Sequence, residues 1–509
     1  MKRWLDRTTG TITMYKLILV VLAAISVAAL VLSLFGQLSY APLPLLASLA
    51  VAIVTTCATS FLAARIARVT PHLESALITG LLVFFVMQPK LDLLGLSGIA
   101  IAGVIAGLSK YLLAVRGRHI FNPAAIGSFV PTIIVFTTFI GMSFGAWWIG
   151  TPYLQPLVFI GAFLILYRTQ RLTIGLAFIA LTLALATGVA VGNGQEFGAA
   201  LAQAAFQSPI VFFAGFMLSE PLTLPPRRWQ QLVEVLVVSI LFAVPLAFLG
   251  PVSNNPLFAL LVGNLIGFAF GQRRGIRMTF TGKTQIGPAT WELAFQPSRP
   301  VRFLPGQYME LTIPHRKADF RGTRRYFSIS SAPTAEGPIT FAITAPTRAS
   351  SFKKALLELE PGQQVNGTGV GGDFALPRQV DEPLLLIAGG IGITPFASQL
   401  AHATERGEKR DVVVVYANSG HGDLPYASLL EKSGARVVLF SPEAPAPLPA
   451  GWLYAGPDRV TGDSLAAAVP DAARRRAFIS GPPALVSDLR KALRTQGARR
   501  VHTDYFSGY

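Results

Sequence analysis

Arg325, Phe327 and Ser328 stand in the run from Arg325 to Ser331, Arg-Tyr-Phe-Ser-Ile-Ser-Ser, whose composition and alternation read as a β-strand. A guanidinium pairs with a diphosphate, an aromatic ring lies against a planar heterocycle, and a hydroxyl hydrogen-bonds a nitrogen at the heterocycle's edge. Together these are the groups that hold a flavin: Arg325 for the pyrophosphate, Phe327 for the ring and Ser328 for the region of N5, with Tyr326 between them. About 20 residues earlier, Leu304 to Pro314 reads as a Pro-Gly turn entering a strand.

Further segments carry compatible chemistry. From Val365 to Pro377 the chain is glycine-rich, and Gly371 and Gly372, with Phe374 after them, let backbone amides approach a phosphate. Pro383 to Pro395 is an apolar strand that runs into a glycine turn and then a helix. That order places a helix N-terminus on a pyrophosphate, with Gly389, Gly390, Gly392, Thr394 and Pro395 at the turn. Asp411 to Asn418 is a second such strand, Ala477 to Pro483 a third that carries Ser480, Gly481 and Pro482, and Asp504 to Tyr509, with Phe506, closes the chain.

Taken together, the Pro-Gly-Gln-Tyr turn, the R-x-F-S strand and the G-G-I-G-I-T-P string resemble the ferredoxin-NADP reductase superfamily, with their order preserved. The resemblance implies FAD on an antiparallel β-barrel, a Rossmann-like α/β domain for NADH or NADPH, and catalytic positions at Ser328, Ser480 and Tyr509. Ser480 replaces a cysteine common in that superfamily, and no iron-sulfur domain follows. The segment Asn418 to Asp423 has no Arg or Lys for a 2'-phosphate, which leans the reading to NADH, with His421 leaving the choice open.

The elements before this module are of another kind. Up to Arg277 the 509-residue chain is nearly all apolar, with 17 Lys or Arg against 6 Asp or Glu; the rest carries 26 against 20. Apolar stretches of spanning length recur about ten times, with cores near 15–36, 42–64, 75–88, 93–114, 121–140, 150–167, 172–192, 204–219, 231–250 and 255–271. Basic residues gather in alternate loops, which predicts a multi-pass protein of the cell membrane with its N-terminus and C-terminal module in the cytoplasm. The same placement argues against nucleic-acid binding, which wants a clustered basic soluble face.

A single cysteine, Cys57, rules out an intrachain disulfide or a cysteine-ligated cluster, and six histidines placed in loops or in the C-terminal half offer no haem ligation. No metal is expected. An electron carrier in the membrane half is therefore expected to be organic. Two polar, proline-containing segments, His119 to Gly127 and Phe216 to Pro226, interrupt the apolar pattern, as backbone does where it lines a cavity.

These segments and the ten-span layout resemble the NqrB/RnfD family, the B subunit of sodium-translocating NADH:quinone reductase and the D subunit of Rnf complexes. The resemblance implies a second flavin, FMN or riboflavin, near Asn122, Pro123, Ser219, Glu220 and Pro221, with Lys110, Arg116 or Arg118 for a phosphate or ribityl chain. The family's flavin-attachment motif is absent; its nearest string, Asp6 to Ile12, departs from it, so noncovalent binding is expected. Asn122-Pro123 and Asn255-Pro256 open the fifth and tenth spans from opposite sides, as two inverted repeats do.

The expected domains are 1–272, transmembrane; 273–378, FAD-binding barrel; and 379–509, NAD(P)-binding. The expected function is hydride transfer from cytoplasmic NAD(P)H to FAD and relay through a membrane flavin to an extracytoplasmic redox partner or another membrane acceptor. A quinone reductase and a redox-driven ion pump are the alternatives, with a redox-sensing transporter as the non-enzyme reading. Pumping ranks last because the candidate intramembrane carboxylates, Glu220 and Glu234, fall near predicted helix ends.

Overall fold

Uncharged apolar runs satisfy their backbone hydrogen bonds within helices, and the first unit of the chain is built of them. The computed structural model describes residues 14–67, 71–115, 118–169, 171–271, 275–313, 315, 323–334, 337–345, 349–367, 370–418, 424–444 and 447–505. Two units divide the chain, Met1–Arg274 and Gly275–Tyr509.

Each of the ten expected apolar segments contains helix, yet only four helices among the described residues are long and apolar enough to cross a membrane: Met14–Leu34, Pro42–Ile66, Leu93–Leu112 and Leu172–Gly192. A bent pair, Phe197–Phe206 with Ile210–Leu218, makes a fifth if counted as one span. The apolar helices Leu73–Val86, Pro123–Thr138, Gln155–Arg168 and Pro256–Phe270 are shorter, about 21–24 Å at 1.5 Å per residue against a hydrocarbon core of roughly 30 Å. Ten full spans are thus not what the helix lengths give.

The reason lies in how the short helices end. After Val86 the chain turns extended and pairs with a second irregular stretch: Gln88 N–H donates to Phe144 O, Ser143 Oγ donates to Gln88 O, and Trp147 N–H donates to Val86 O. Apolar composition therefore continues where helix does not.

Asn122 and Asn255 cap their helices through side-chain oxygens that accept from Ala125 N–H and Leu257 N–H. Asn122 N–H donates to Asn264 Oδ1 at 2.7 Å, while Phe129 stacks on Phe258, so the two Asn-Pro helices pack antiparallel. Glu234 corrects an expectation. It falls mid-helix in Arg228–Ala243, which begins earlier than its apolar core suggests, and it is 1% exposed.

A small hairpin, β1 (Ala114–Val115) and β2 (Arg118–His119), carries His119 to the start of the next helix.

In the second unit, short alternating strands form a six-stranded antiparallel sheet in the order β6-β5-β8-β3-β4-β7. Its strands are β3 (Ile276–Gly287), β4 (Thr290–Pro297), β5 (Tyr308–Thr312), β6 (Arg324–Ser328), β7 (Ile339–Thr344) and β8 (Gln364–Gly367). An antiparallel bridge between Ile329 and Phe341 joins the two ends into a barrel around Met278, Phe280, Phe295, Met309, Leu311 and Phe341. Apolar residues alternate inward, which is why these strands form one buried face.

The inner strands of the remaining sheet are nearly all apolar, as strands covered on both faces must be. The sheet comprises β9 (Leu384–Gly389), β10 (Val412–Ala417), β11 (Arg436–Phe440), β12 (Trp452–Gly456), β13 (Arg476–Gly481) and β14 (Val501–Tyr505), all parallel in the order β12-β11-β10-β9-β13-β14. The chain leaves β9 in one direction through β10 to β12 and returns to its other side at β13. The crevice at the carboxyl ends of β9 and β13 is therefore the topological switch point, where ligands of such sheets bind.

Candidate functional site

Two of the glycines at this switch point are packed so closely that a side chain does not fit, and a third is held in a left-handed conformation. A Cβ at Gly392 would lie 2.3 Å from Ser480 O, and one at Gly389 2.4 Å from Leu485 Cδ2; Gly390 has φ +54°. Thr394 Oγ1 donates to Ile391 O at 2.6 Å, and Pro395 sits in the first turn of the helix Thr394–Glu405. Gly481 and Pro482 lead into the helix Pro483–Thr495 from the neighbouring strand. Two helix N-termini thus converge on one crevice, the electrostatic arrangement that receives a diphosphate. Ser480 is 0% exposed, and its hydroxyl has no hydrogen-bond partner among the described residues.

The flavin-directed motifs meet at the barrel's side of the same unit. Tyr308 and Gly371 exchange backbone hydrogen bonds of 3.0 and 2.9 Å, and a Cβ at Gly372 would touch the Tyr308 ring at 3.0 Å. Gln307 Nε2 donates to Gly372 O, and Gln399 Nε2, from the helix after the nucleotide turn, donates to Phe374 O, each at 2.7 Å. Ser398 Oγ donates to Ser331 O at 2.6 Å, which pins the end of the R-x-F-S strand to that helix. The Pro-Gly-Gln-Tyr turn, the Gly371-Gly372 pair, the flavin strand and the nucleotide helix are consequently one hydrogen-bonded construction.

Strand β6 orients its residues differently from the sequence expectation. Arg325 and Phe327 face the same side as Leu311 and Met309 across the ladder. The Arg325 guanidinium lies 5.3 Å from the Phe352 ring centroid, and Phe327 stacks on the same ring at 5.9 Å. Tyr326 is the outward aromatic, 51% exposed and edge-on to Tyr308, while Ser328 is buried opposite Tyr308. Alternation along the strand sets this division. Together the glycine cradle and the tyrosine pair fit a dinucleotide-type flavin.

Behind the strand, Glu292 Oε1 accepts from Ser330 Oγ at 2.8 Å, from Thr340 Oγ1 at 3.1 Å and from Tyr426 Oη at 2.8 Å. Burial, with the Glu292 carboxylate beside it, holds the Tyr426 phenol well above its ordinary range, so it stays a donor. Burial also raises Tyr416, and burial with Arg476 beside it lowers His502. Glu292, Gln307, Ser398, Gln399 and Tyr426 were not singled out in the sequence; only Gln307, inside the turn motif, had a signal that pointed to it.

In the helical unit a cavity of about 60 Å³ is lined by His119, Asn122, Pro123, Ser219, Glu220 and Pro221, among others, enough for a few ordered waters. Glu220 Oε1 lies 2.9 Å from His119 Nε2, and Asn122 Nδ2 donates to Glu220 Oε2 at 2.9 Å. Ser219 Oγ donates to Gly215 O at the end of a π-helical stretch, Phe213–Leu218, a local widening frequent at functional sites. Acceptor, amide and hydroxyl thus line a cavity well below the roughly 300 Å³ at which ligand pockets begin.

Lys110 Nζ donates to Ser75 O at 2.8 Å and to Ser75 Oγ, and Ser75 lines the same cavity. Phe506, Tyr509, Arg116, His421, Asp6 and the Arg118 side chain lie outside the described residues. Among the described residues no group of three or more His, Cys, Asp or Glu could hold a metal ion.

Residues 386–491 match the family model for the oxidoreductase NAD-binding domain. The chain is 28% identical over 246 residues to the toluate 1,2-dioxygenase electron transfer component of Pseudomonas putida, covering 46% of this chain and 68% of that protein. It is 28% identical over 237 residues to the reductase component of propane 2-monooxygenase from Rhodococcus jostii, covering 44% and 62%. About a third of each relative thus has no counterpart here. A solved FAD/NAD-binding domain of nitric oxide dioxygenase from Vibrio cholerae aligns at 19% identity with a TM-score of 0.39, over 46% of this chain and 99% of that one. The C-terminal half of the chain is a ferredoxin reductase-type FAD- and NAD-binding oxidoreductase module.

Proposed function

We propose that this protein is a membrane-bound NAD(P)H-dependent flavoprotein that passes electrons from its cytoplasmic reductase module, through a second, noncovalent flavin in the helical unit, to an acceptor in or beyond the bilayer. When bound, FAD takes a hydride from the nicotinamide and gives up electrons singly. The chain's own residues bind and orient: Arg325 and the Gly371-Gly372 turn for the flavin diphosphate, Gly389 to Pro395 for the nucleotide, and Ser328 and Ser480 beside the reacting rings.

The observation that carries the membrane part is convergence. Asn122, Pro123, Ser219, Glu220 and Pro221 come from two sequence segments about a hundred residues apart and line one cavity. The alternating basic loops support a cytoplasmic reductase module, and ten membrane segments remain the proposed layout, with the short helices tilted little or set within the protein. An extracytoplasmic redox partner is the favoured acceptor. A quinone is a second reading, favoured by the His119–Glu220 pair at the cavity, since quinone reduction consumes protons.

Flavin analysis of the purified, denatured chain tests this. The expected result is two dissociable flavins per chain, with Asn122→Ala losing one and keeping the FAD. That substitution also removes a helix cap and a Glu220 donor, at about 1–2 kcal/mol of stability. One flavin per wild-type chain would refute the relay.

A further inference from the structure

Tyr426 is one of four non-glycine residues among those described with positive φ, at +64°. Only glycine, and at times Asn or Asp, adopts that conformation routinely, and for other residues it costs about 1–2 kcal/mol. Such strain persists where surrounding structure over-determines it, and it clusters at ligand clamps and switch regions. Tyr426 ends the segment that follows β10 and begins the helix Ala427–Lys432, so it belongs to the connection at the carboxyl edge of the nucleotide sheet. Its side chain, however, reaches the barrel: Oη donates to Glu292 Oε1 on β4. Its neighbour Pro425 packs on the same hairpin, where a Cβ at Gly287 would lie 3.3 Å from Pro425 Cγ.

The receiving carboxylate is itself held by the flavin strand. Glu292 accepts from Ser330, two residues after Ser328, and from Thr340 across the barrel-closing bridge. One oxygen thus ties three elements: the strand that carries the flavin motif, the strand that closes the barrel and the nucleotide-facing connection. The bond is charge-assisted and the Tyr426 phenol keeps its proton, so the tie is maintained.

We infer that the Tyr426–Glu292 hydrogen bond is a latch between the nucleotide-facing connection and the flavin barrel, and that both are positioning residues setting the approach of the nicotinamide to the flavin. Hydride transfer is sensitive to that approach, since a misplacement of about 1 Å can cost a hundredfold in rate. The latch concerns only NADH-to-flavin transfer and does not depend on the membrane relay.

Stopped-flow reduction of the flavin by NADH in the full chain tests it, with Tyr426→Phe, Glu292→Ala, Glu292→Gln and the Tyr426→Phe/Glu292→Ala double variant. The expected result is a saturating rate about ten- to a hundredfold lower in Tyr426→Phe and in Glu292→Ala, with the half-saturating NADH concentration and the oxidised flavin spectrum unchanged. Glu292→Gln, whose amide oxygen still accepts, should recover most of the rate. The double variant should fall no further than Glu292→Ala, because that single variant has already lost the Tyr426 bond, together with those from Ser330 and Thr340. Amide hydrogen exchange in the helix Ala427–Lys432 should quicken in Tyr426→Phe without change in β13, a readout independent of turnover.

The latch is overturned by a wild-type saturating rate in Tyr426→Phe, by multiplying losses in the double variant, or by loss of bound flavin accompanying the fall.

Discussion

Gly306→Ala should separate the barrel's turn from everything it supports. Gly306 has φ +92°, and a Cβ there would lie 2.1 Å from Phe374 O and 2.3 Å from Gln399 Nε2. The first neighbour is backbone and cannot swing aside. The second is the amide that donates to that same carbonyl, so relief by moving Gln399 breaks the bond between the nucleotide helix and the Gly371-to-Phe374 segment. The conformational strain costs about 1–2 kcal/mol and the overpacking about 1–3 kcal/mol, together roughly 2–5 kcal/mol. For a unit of this size that is a fall in Tm of about 4–20 °C.

Differential scanning calorimetry of the flavin-loaded chain, with flavin release as a second signal, reads this out. Gly282→Ala is the matched control: it lies in the same barrel, and its added Cβ meets nothing within 4 Å, so it should change stability by less than about 1 kcal/mol. Gly306→Ala with a flavin-release temperature equal to that of Gly282→Ala would refute the claim that the turn is closed against the nucleotide helix.

Arg325→Ala should weaken flavin retention about 10- to 100-fold, the worth of roughly 1.5–3 kcal/mol for hydrogen bonds to a charged group, as measured by flavin dissociation on dilution. Arg325→Lys should recover only part, because the stacking of a planar guanidinium on Phe352 is lost with the fork. Stability against pH should report His502, which burial and Arg476 hold below its unfolded value of 6.5. A base whose folded pKa is depressed binds fewer protons folded than unfolded, so its contribution is complete above about pH 7 and is lost as pH falls through 6.5 towards the folded value. Thermal unfolding of the second unit between pH 7.5 and 5.5 should show that decline, and His502→Phe, which keeps a ring on Phe478, should flatten it.

The sequence carried the second unit's chemistry well because its motifs are local. A glycine that must let two backbones touch and a strand that must run through a turn into a helix each act within a few residues, so type and spacing suffice. The helical unit was less legible. Apolar composition extends past Val86 and through residues 140–150, where the backbone leaves the helix and pairs with itself, and composition is blind to that change. Glu234 was misplaced for a related reason: the helix Arg228–Ala243 starts in a polar turn that hydropathy excludes.

Residue type and order alone pointed to a nucleotide-binding oxidoreductase module in the second unit, since its glycine turns meet a requirement that few residue types satisfy. Which way β6 turned its residues, with Phe327 on Phe352 and Tyr326 outward, was decided by the register of the barrel, because alternation fixes that two faces exist and only pairing with β5 fixes which is buried. The cavity of His119, Asn122 and Glu220, and the Tyr426–Glu292 bond across 134 positions of sequence, likewise came only from the folded chain. A contact between residues far apart in sequence leaves no periodicity or spacing to read; it exists only when tertiary packing closes the loop between them.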